Sequence, residues 1–154
     1  MKTHTFQCEE NPDMYRALSE YAGMLIWGAD RGFGPGTAMG VFDDENQLAA
    51  AVIYHNNDDW ASIIEYSGAG ENPRWLTRDV MFEIFNYPFN RLGKNAVFTR
   101  IGSENAKLGR IYKWYGFTEH EVPHMRGPDQ SEFVYVLTKE AWLNNGKHKG
   151  KHHV

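Results

Sequence analysis

At 154 residues the chain has room for one hydrophobic core, and with 42% hydrophobic and 14% aromatic residues it is excluded from the disordered class. A formal net charge of -4 excludes a protein that grips duplex nucleic acid mainly by neutralising phosphates. Cys8 is the only cysteine, so an intrachain disulfide and a Cys-rich zinc site are excluded, and with no signal peptide and no apolar run of membrane-spanning length a cytoplasmic protein is expected.

The first predicted element is a helix over 12–30, with Asn11 as its cap, Pro12 at its first position, and Met14, Leu18, Tyr21, Leu25 and Ile26 as its apolar face. The glycine-rich RGFGPG that follows ends it. Because this segment follows a helix and enters a strand it is no dinucleotide fingerprint, and a flexible loop over an acceptor site is expected instead. AMGVFD (38–43) and QLAAAVIYHN (47–56) flank the turn-like DDEN and read as a hairpin, and ASIIEYSGAG (61–70) follows as a third strand.

NPRWLTRDVMFEIFNYPFNRLGKN (72–95) predicts a helix beginning near Pro73, with Leu76, Val80, Met81, Ile84 and Phe85 inward and Pro88 ending or kinking it. NAVFTRIG (95–102) reads as a strand, SENAKLGRIYKWYG (103–116) as a helix, and SEFVYVLTKEAWL (131–143) as a final strand running into a turn. Strands that meander and then cross over through helices predict a mixed, mainly antiparallel sheet with flanking helices, an α/β (α+β) domain over 1–145, followed by a basic flexible tail over 146–154.

Between the last helix and the last strand lies HEVPHMRG (120–127), which matches the zinc-peptidase pattern H-E-x-x-H. That pattern works only on a helix, and Pro123 lies between the histidines, where a helix would lose about 3 kcal/mol or more. On a strand, His120 and His124 stand roughly 13 Å apart, too far to share a metal whose ligands bind at about 2 Å. A strand and no metal are therefore expected, with both histidines facing a substrate cleft.

NAKLGRIYKWYGF (105–117) reads as a core helix with Gly116 as a left-handed stop and Phe117 packed behind it, which leaves Asn105 and Tyr112 without a structural reason. Asn105, Tyr112, Gly116 and Phe117 fall at the spacing N-x-x-A-x-x-L-Y-x-x-x-G-F, and here the chain resembles the GNAT acyltransferase superfamily. The element order agrees over nearly the whole chain. The NPRWLTR stretch looks most like that of small phage-borne members.

The resemblance implies acetyl-CoA as cosubstrate, wedged where the strand at 61–70 splays from the next, with Tyr66 and Ser67 as the edge that binds pantetheine. It places the pyrophosphate at the start of the following helix, where unpaired amides favour anions. The family usually has Q/R-x-x-G-x-G/A there, and this chain has GENPRWLTR, with Arg74 and Trp75 in place of glycines. Asn72, Arg74, Thr77 and Arg78 supply donors instead, and Pro73 suits a first helical turn.

The implied reaction is direct acetyl transfer to an amine, carried by a small molecule or a protein. Tyr112 would be the general acid toward the departing thiolate and Glu65 the first candidate base, with His55, His120 and His124 as alternatives. Two other readings stay open: a nucleic-acid base modifier on this scaffold, and a non-catalytic binding or inhibitory protein that kept the fold. The last strands offer an edge for a homodimer.

Overall fold

The computed structural model describes residues 1–147, so of the expected basic tail over 146–154 the residues from 148 onward lie outside it. Seven strands form one sheet: β1 (Lys2–Gln7), β2 (Thr37–Phe42), β3 (Leu48–Asp58), β4 (Ile63–Gly70), β5 (Ala96–Gly102), β6 (Thr118–Gly127) and β7 (Gln130–Thr138), in the order β1-β2-β3-β4-β5-β7-β6. Four α-helices join them: α1 (Pro12–Trp27), α2 (Arg78–Asn86), α3 (Ala106–Tyr115) and α4 (Lys139–Asn144). Every pairing is antiparallel except that of β4 with β5. The mixed, mainly antiparallel sheet is as the sequence predicts.

That one parallel pairing is short. It holds Ile63 to Ala96, Ile64 to Val97 and Glu65 to Phe98, and then stops. Beyond it β5 stays with β7 as far as Gly102 opposite Glu132, while β4 stays with β3 as far as Gly70 opposite Ala50. The edge of β4 from Tyr66 to Gly70 therefore faces a gap in the sheet.

The two faces of the sheet carry separate cores. Val52, Tyr54, Tyr66, Val97 and Leu137 pack under α2, α3 and α4, whereas Ala38, Ala51 and Ile53 pack under α1. Alternation along β4 thus sends Tyr66 and Gly68 to the first face and Glu65 and Ser67 to the second.

Four expectations need correction. The first element is not the helix but a sheet-edge strand before it, β1. α1 is helical as predicted, but it buries Tyr15, Leu18, Ser19, Ala22 and Gly23, while Met14, Leu25 and Ile26 stay 41%, 43% and 39% exposed. Its small residues let the helix sit close to the sheet, and the long apolar ones flank the contact.

The helix expected from Pro73 starts at Arg78, where the Thr77 Oγ1 accepts from the Val80 N–H at 3.1 Å. Residues 72–75 form a tight turn before it: the Asn72 Oδ1 accepts from the Arg74 N–H at 2.9 Å and the Asn72 carbonyl from the Trp75 N–H at 3.1 Å. Finally, the end of the chain's last predicted strand is the helix α4, capped by Thr138.

Pro88 has the expected effect. The helix passes into a π-turn over Tyr87–Arg91, and proline has no N–H to give the Ile84 carbonyl four residues back. Tyr54 Oη donates to that carbonyl instead, at 2.5 Å. Residues 118–127 form the strand that Pro123 predicts, interrupted by a bulge between Val122 and Gly127 with His124 at φ 64°.

Candidate active site

Tyr112 lies in the last turn but one of α3. Gly116, at φ 120°, ends the helix so that its own N–H and that of Phe117 both reach the Tyr112 carbonyl, at 3.1 and 3.0 Å, and the Phe117 ring lies 4.7 Å from that of Tyr112. The ring of Tyr66 meets Tyr112 edge-on at 6.3 Å. Burial pushes Tyr112 up to about 12, the neighbouring Tyr66 pulling weakly the other way, and burial followed by the nearness of Tyr112 pushes Tyr66 well above its ordinary range. Both phenols keep their protons at neutral pH and have an O–H to offer.

They line an apolar chamber with Val52, Gly68, Trp75 and Leu108. Its free space is ≈ 20 Å³, about one water. Trp75 is one of its walls. A Cβ on Gly70 would fall 2.7 Å from Trp75 Cδ1, so that glycine makes room for the indole against β4, whereas one on Gly68 would make an ordinary contact, 3.6 Å from its Cη2.

The opposite face of the same strand pair is ionic. His55 and Glu65 are direct cross-strand partners on β3 and β4, and His55 Nε2 lies 2.9 Å from Ser67 Oγ and 4.0 Å from Glu65 Oε2. Glu65, 3% exposed, accepts from Asn56 Nδ2 at 2.8 Å and from Arg100 Nε at 2.9 Å. Arg100 continues to Glu132 at 3.8 Å, and Arg126 meets Glu132 at 3.5 Å. Phe33, from the glycine-rich loop, covers the His55 ring at 4.9 Å.

Burial lowers the His55 pKa; the Glu65 charge opposes this and the Arg100 charge adds to it. The imidazole is neutral at neutral pH and has a lone pair to offer. The Arg100 guanidinium, bonded to Glu65, is held more firmly protonated than usual.

The predicted residues fall into groups. Tyr66 and Tyr112 share the chamber with Trp75; Glu65 and Ser67 share the ionic cluster with His55. Asn72, Pro73 and Arg74 form the turn at the mouth, and Thr77 caps α2. Asn105 lies elsewhere, in a groove of ≈ 300 Å³ with Ser103, Gly109, Lys113, Glu119 and Tyr135. There Tyr135 Oη donates to Glu119, and the close fit of Tyr135 against α3 requires Gly109, whose Cβ would lie 2.3 Å from that hydroxyl.

His120 and His124 are exposed. Their ring nitrogens meet Thr118 Oγ1 at 3.2 Å and the Pro128 carbonyl at 2.7 Å. Sequence reasoning missed Asn56, Arg100 and Glu132. The signal for Arg100 was present: alternation along β5 puts it on the Glu65 side once Glu65 is paired beside Phe98.

No family model and no curated protein matches the sequence. Solved structures do match. Mutant forms of the spermidine/spermine N-acetyltransferase SpeG from Vibrio cholerae superpose with a TM-score of 0.73 at 14% identity, over 94% of this chain and 99% of that one. The fold is GNAT-like.

A chimera of the Vibrio cholerae spermidine N-acetyltransferase with hSSAT gives a TM-score of 0.61 at 18% identity, over 70% of this chain and 69% of that one. A dodecameric structure of spermidine N-acetyltransferase from Vibrio cholerae gives 0.62 at 18% identity, over 71% and 68%. At such identities the likeness is one of fold. The chamber, its Trp75 wall and the ionic cluster are this chain's own evidence.

Proposed function

We propose that the chain is an N-acyltransferase that moves the acetyl group of acetyl-CoA directly to an amine. The observation that carries this reading is the parting of β4 from β5 after Glu65 and Phe98. It leaves the Tyr66–Gly70 edge with unpaired backbone groups, between proton donors on one face and proton acceptors on the other. An extended amide-bearing arm completes such an edge as an added strand would.

The cosubstrate supplies an activated thioester. The protein's own part is to hold that thioester in the gap, away from water, and to move two protons. His55, neutral and backed by Glu65, takes the proton the amine loses as it attacks; Tyr112 gives a proton to the departing sulfur. Proton transfers of this kind typically contribute 10²–10⁴-fold each. Asn72, Arg74, Thr77 and Arg78, at the mouth beside Trp75, are the residues proposed to receive the phosphates, and Asn105 would reach the coenzyme from the start of α3.

The acceptor is proposed to be an amine, with spermidine the first to try because the fold neighbours bear that name. A cytoplasmic enzyme fits both the cosubstrate and the single free cysteine. Assembly through the free edge of β6, the strand next to β7, remains our proposal for any dimer, and the likeness to small phage-borne acyltransferases is likewise part of this reading.

One observation favours a second reading, a binding protein without catalysis: the chamber, with the Trp75 indole among its walls, has free space for only about one water. Titration calorimetry with acetyl-CoA decides between them. The transferase reading expects binding with a Kd on the order of micromolar, followed by free-thiol release when an amine is added. Absence of binding would sink it and leave the binding protein.

A further inference from the structure

Tyr66 is 3% exposed, and its hydroxyl has no hydrogen-bond partner. The Tyr112 phenol stands beside it, near enough for each to shift the other's acidity but not at hydrogen-bonding geometry. Its ring is otherwise enclosed by apolar groups, with Phe85 edge-on at 5.5 Å. A buried hydroxyl without a partner destabilises the fold, and phenylalanine would fill nearly the same volume at no such cost. Nothing in the packing of the ligand-free protein gives this oxygen a reason to exist.

Its position suggests the reason. Tyr66 is the first residue of β4 beyond the last bridge to β5, and its side chain lines the chamber with Tyr112. A group entering the gap there meets apolar walls and one unused donor. The matching chemistry is a largely apolar ligand with a single strong acceptor, which describes the thioester carbonyl.

We propose that Tyr66 is a second catalytic hydroxyl: it donates a hydrogen bond to the carbonyl oxygen of the thioester, separately from the proton that Tyr112 gives to sulfur. This deepens the acyltransferase reading and rests on it. When the amine nitrogen bonds to the carbonyl carbon, the C=O pair moves onto oxygen, and Tyr66 steadies that charge while keeping its own proton. The amine's proton leaves on the His55 side. The pair on oxygen then re-forms C=O as the C–S bond breaks; the C–S pair goes to sulfur and the Tyr112 proton follows, giving the amide and the free thiol, after which His55 gives its proton to solvent and Tyr112 takes one back.

The donor is preformed among apolar walls, where such a bond gains far more from developing charge than from a neutral carbonyl. The oxygen therefore serves the reaction at the expense of the resting fold.

Tyr66→Phe tests this, because it removes one oxygen and little else. The proposal expects turnover to fall by about 100-fold with the affinity for CoA, which lacks the carbonyl, unchanged. It also expects the urea midpoint of the ligand-free protein to stay level or rise. In isotope-edited infrared difference spectra, the carbonyl stretch of bound acetyl-CoA should lie lower in the wild type than in the variant.

Unchanged turnover and an unshifted carbonyl band overturn the proposal and leave the transferase standing. A fall in urea midpoint with turnover intact also overturns it, by giving the hydroxyl a structural role. If the wild type neither binds nor turns over acetyl-CoA, both readings fall together.

Discussion

The two faces of the sheet at the gap between β4 and β5 are built from opposite materials. Toward α2 and α3 the gap is lined by rings and aliphatic chains, and the polar groups that its rings carry are the phenols of Tyr66 and Tyr112 and the indole N–H of Trp75. Toward α1 it is lined by His55, Glu65, Ser67 and Arg100, joined at 2.9 to 4.0 Å. One strand makes both, since Glu65 and Tyr66 are neighbours in sequence and point apart. In the proposed reaction, proton donation belongs to the apolar face, where burial keeps phenols neutral, and proton acceptance to the polar face, where burial keeps an imidazole neutral.

The largest effect tests the donor side. Tyr112→Phe keeps the ring packing on Phe117 and Tyr135 and removes the proton offered to sulfur, so kcat should fall by about 100-fold or more while the KM for acetyl-CoA moves little. Steady-state kinetics with thiol detection checks this. A variant that turns over like the wild type would take Tyr112 out of the chemistry and reduce the two faces to a packing difference.

The acceptor side makes a prediction about pH. His55 has a folded pKa below the ordinary histidine value of 6.5, with burial as the main cause. Above 6.5 the imidazole is neutral in folded and unfolded chains alike. Below it the unfolded chain takes up a proton that the folded one resists, so stability present above 6.5 is lost as pH falls through the lowered folded value. The urea midpoint should therefore drop as the pH falls below 6.5, and His55→Gln should flatten that part of the profile. Glu65, Arg100 and Asn56 remain in the variant, which isolates the histidine. Parallel profiles for the two proteins would mean that His55 does not resist protonation.

The sheet was largely legible in the sequence, and so was the place of Tyr112 near the end of α3, because helix stops and strand alternation leave local marks. Gly116 and Phe117 identify the end of α3, and Pro123 alone is enough to turn H-E-x-x-H into a strand. What depended on contact between distant segments was not legible. α1 shows a helical period, but which of its arcs is buried is decided by the small side chains that let it approach β3, so Met14, Leu25 and Ile26 were placed on the wrong side. Pro73 suits a first helical turn, yet the Asn72 side chain takes the Arg74 N–H and delays the helix to Arg78. Glu65 and His55 were each visible as titratable residues, but only the β3–β4 register makes them a pair.

A smaller effect concerns the indole wall. Trp75 is half-buried, so Trp75→Ala should cost about 1–3 kcal/mol of stability, below the range for fully buried aromatic residues. It should also let acetyl-CoA associate several-fold faster, because the coenzyme no longer has to displace the indole from its place against Gly70. Stopped-flow binding measures this directly. Slower association or much weaker binding would make Trp75 a fixed wall of the site rather than a movable one, and the apolar face would then be a finished pocket without the coenzyme.

The smallest effect belongs to His120 and His124, the residues with the most suggestive spacing in the sequence. Each is exposed and held by a partner within its own hairpin, His120 by Thr118 and His124 by the Pro128 carbonyl. Neither is desolvated as His55 is, and neither belongs to the chain of contacts that runs from His55 through Glu65 to Arg100. Burial in such a chain is what holds a base in one geometry and lowers its pKa. His120→Ala should therefore leave kcat within about two-fold, the size of effect expected for a surface substitution. A loss of ten-fold or more in kcat/KM for the amine, with KM for acetyl-CoA unmoved, would extend the acceptor path across β7 to the outer strand and make the polar face much wider than the His55 cluster.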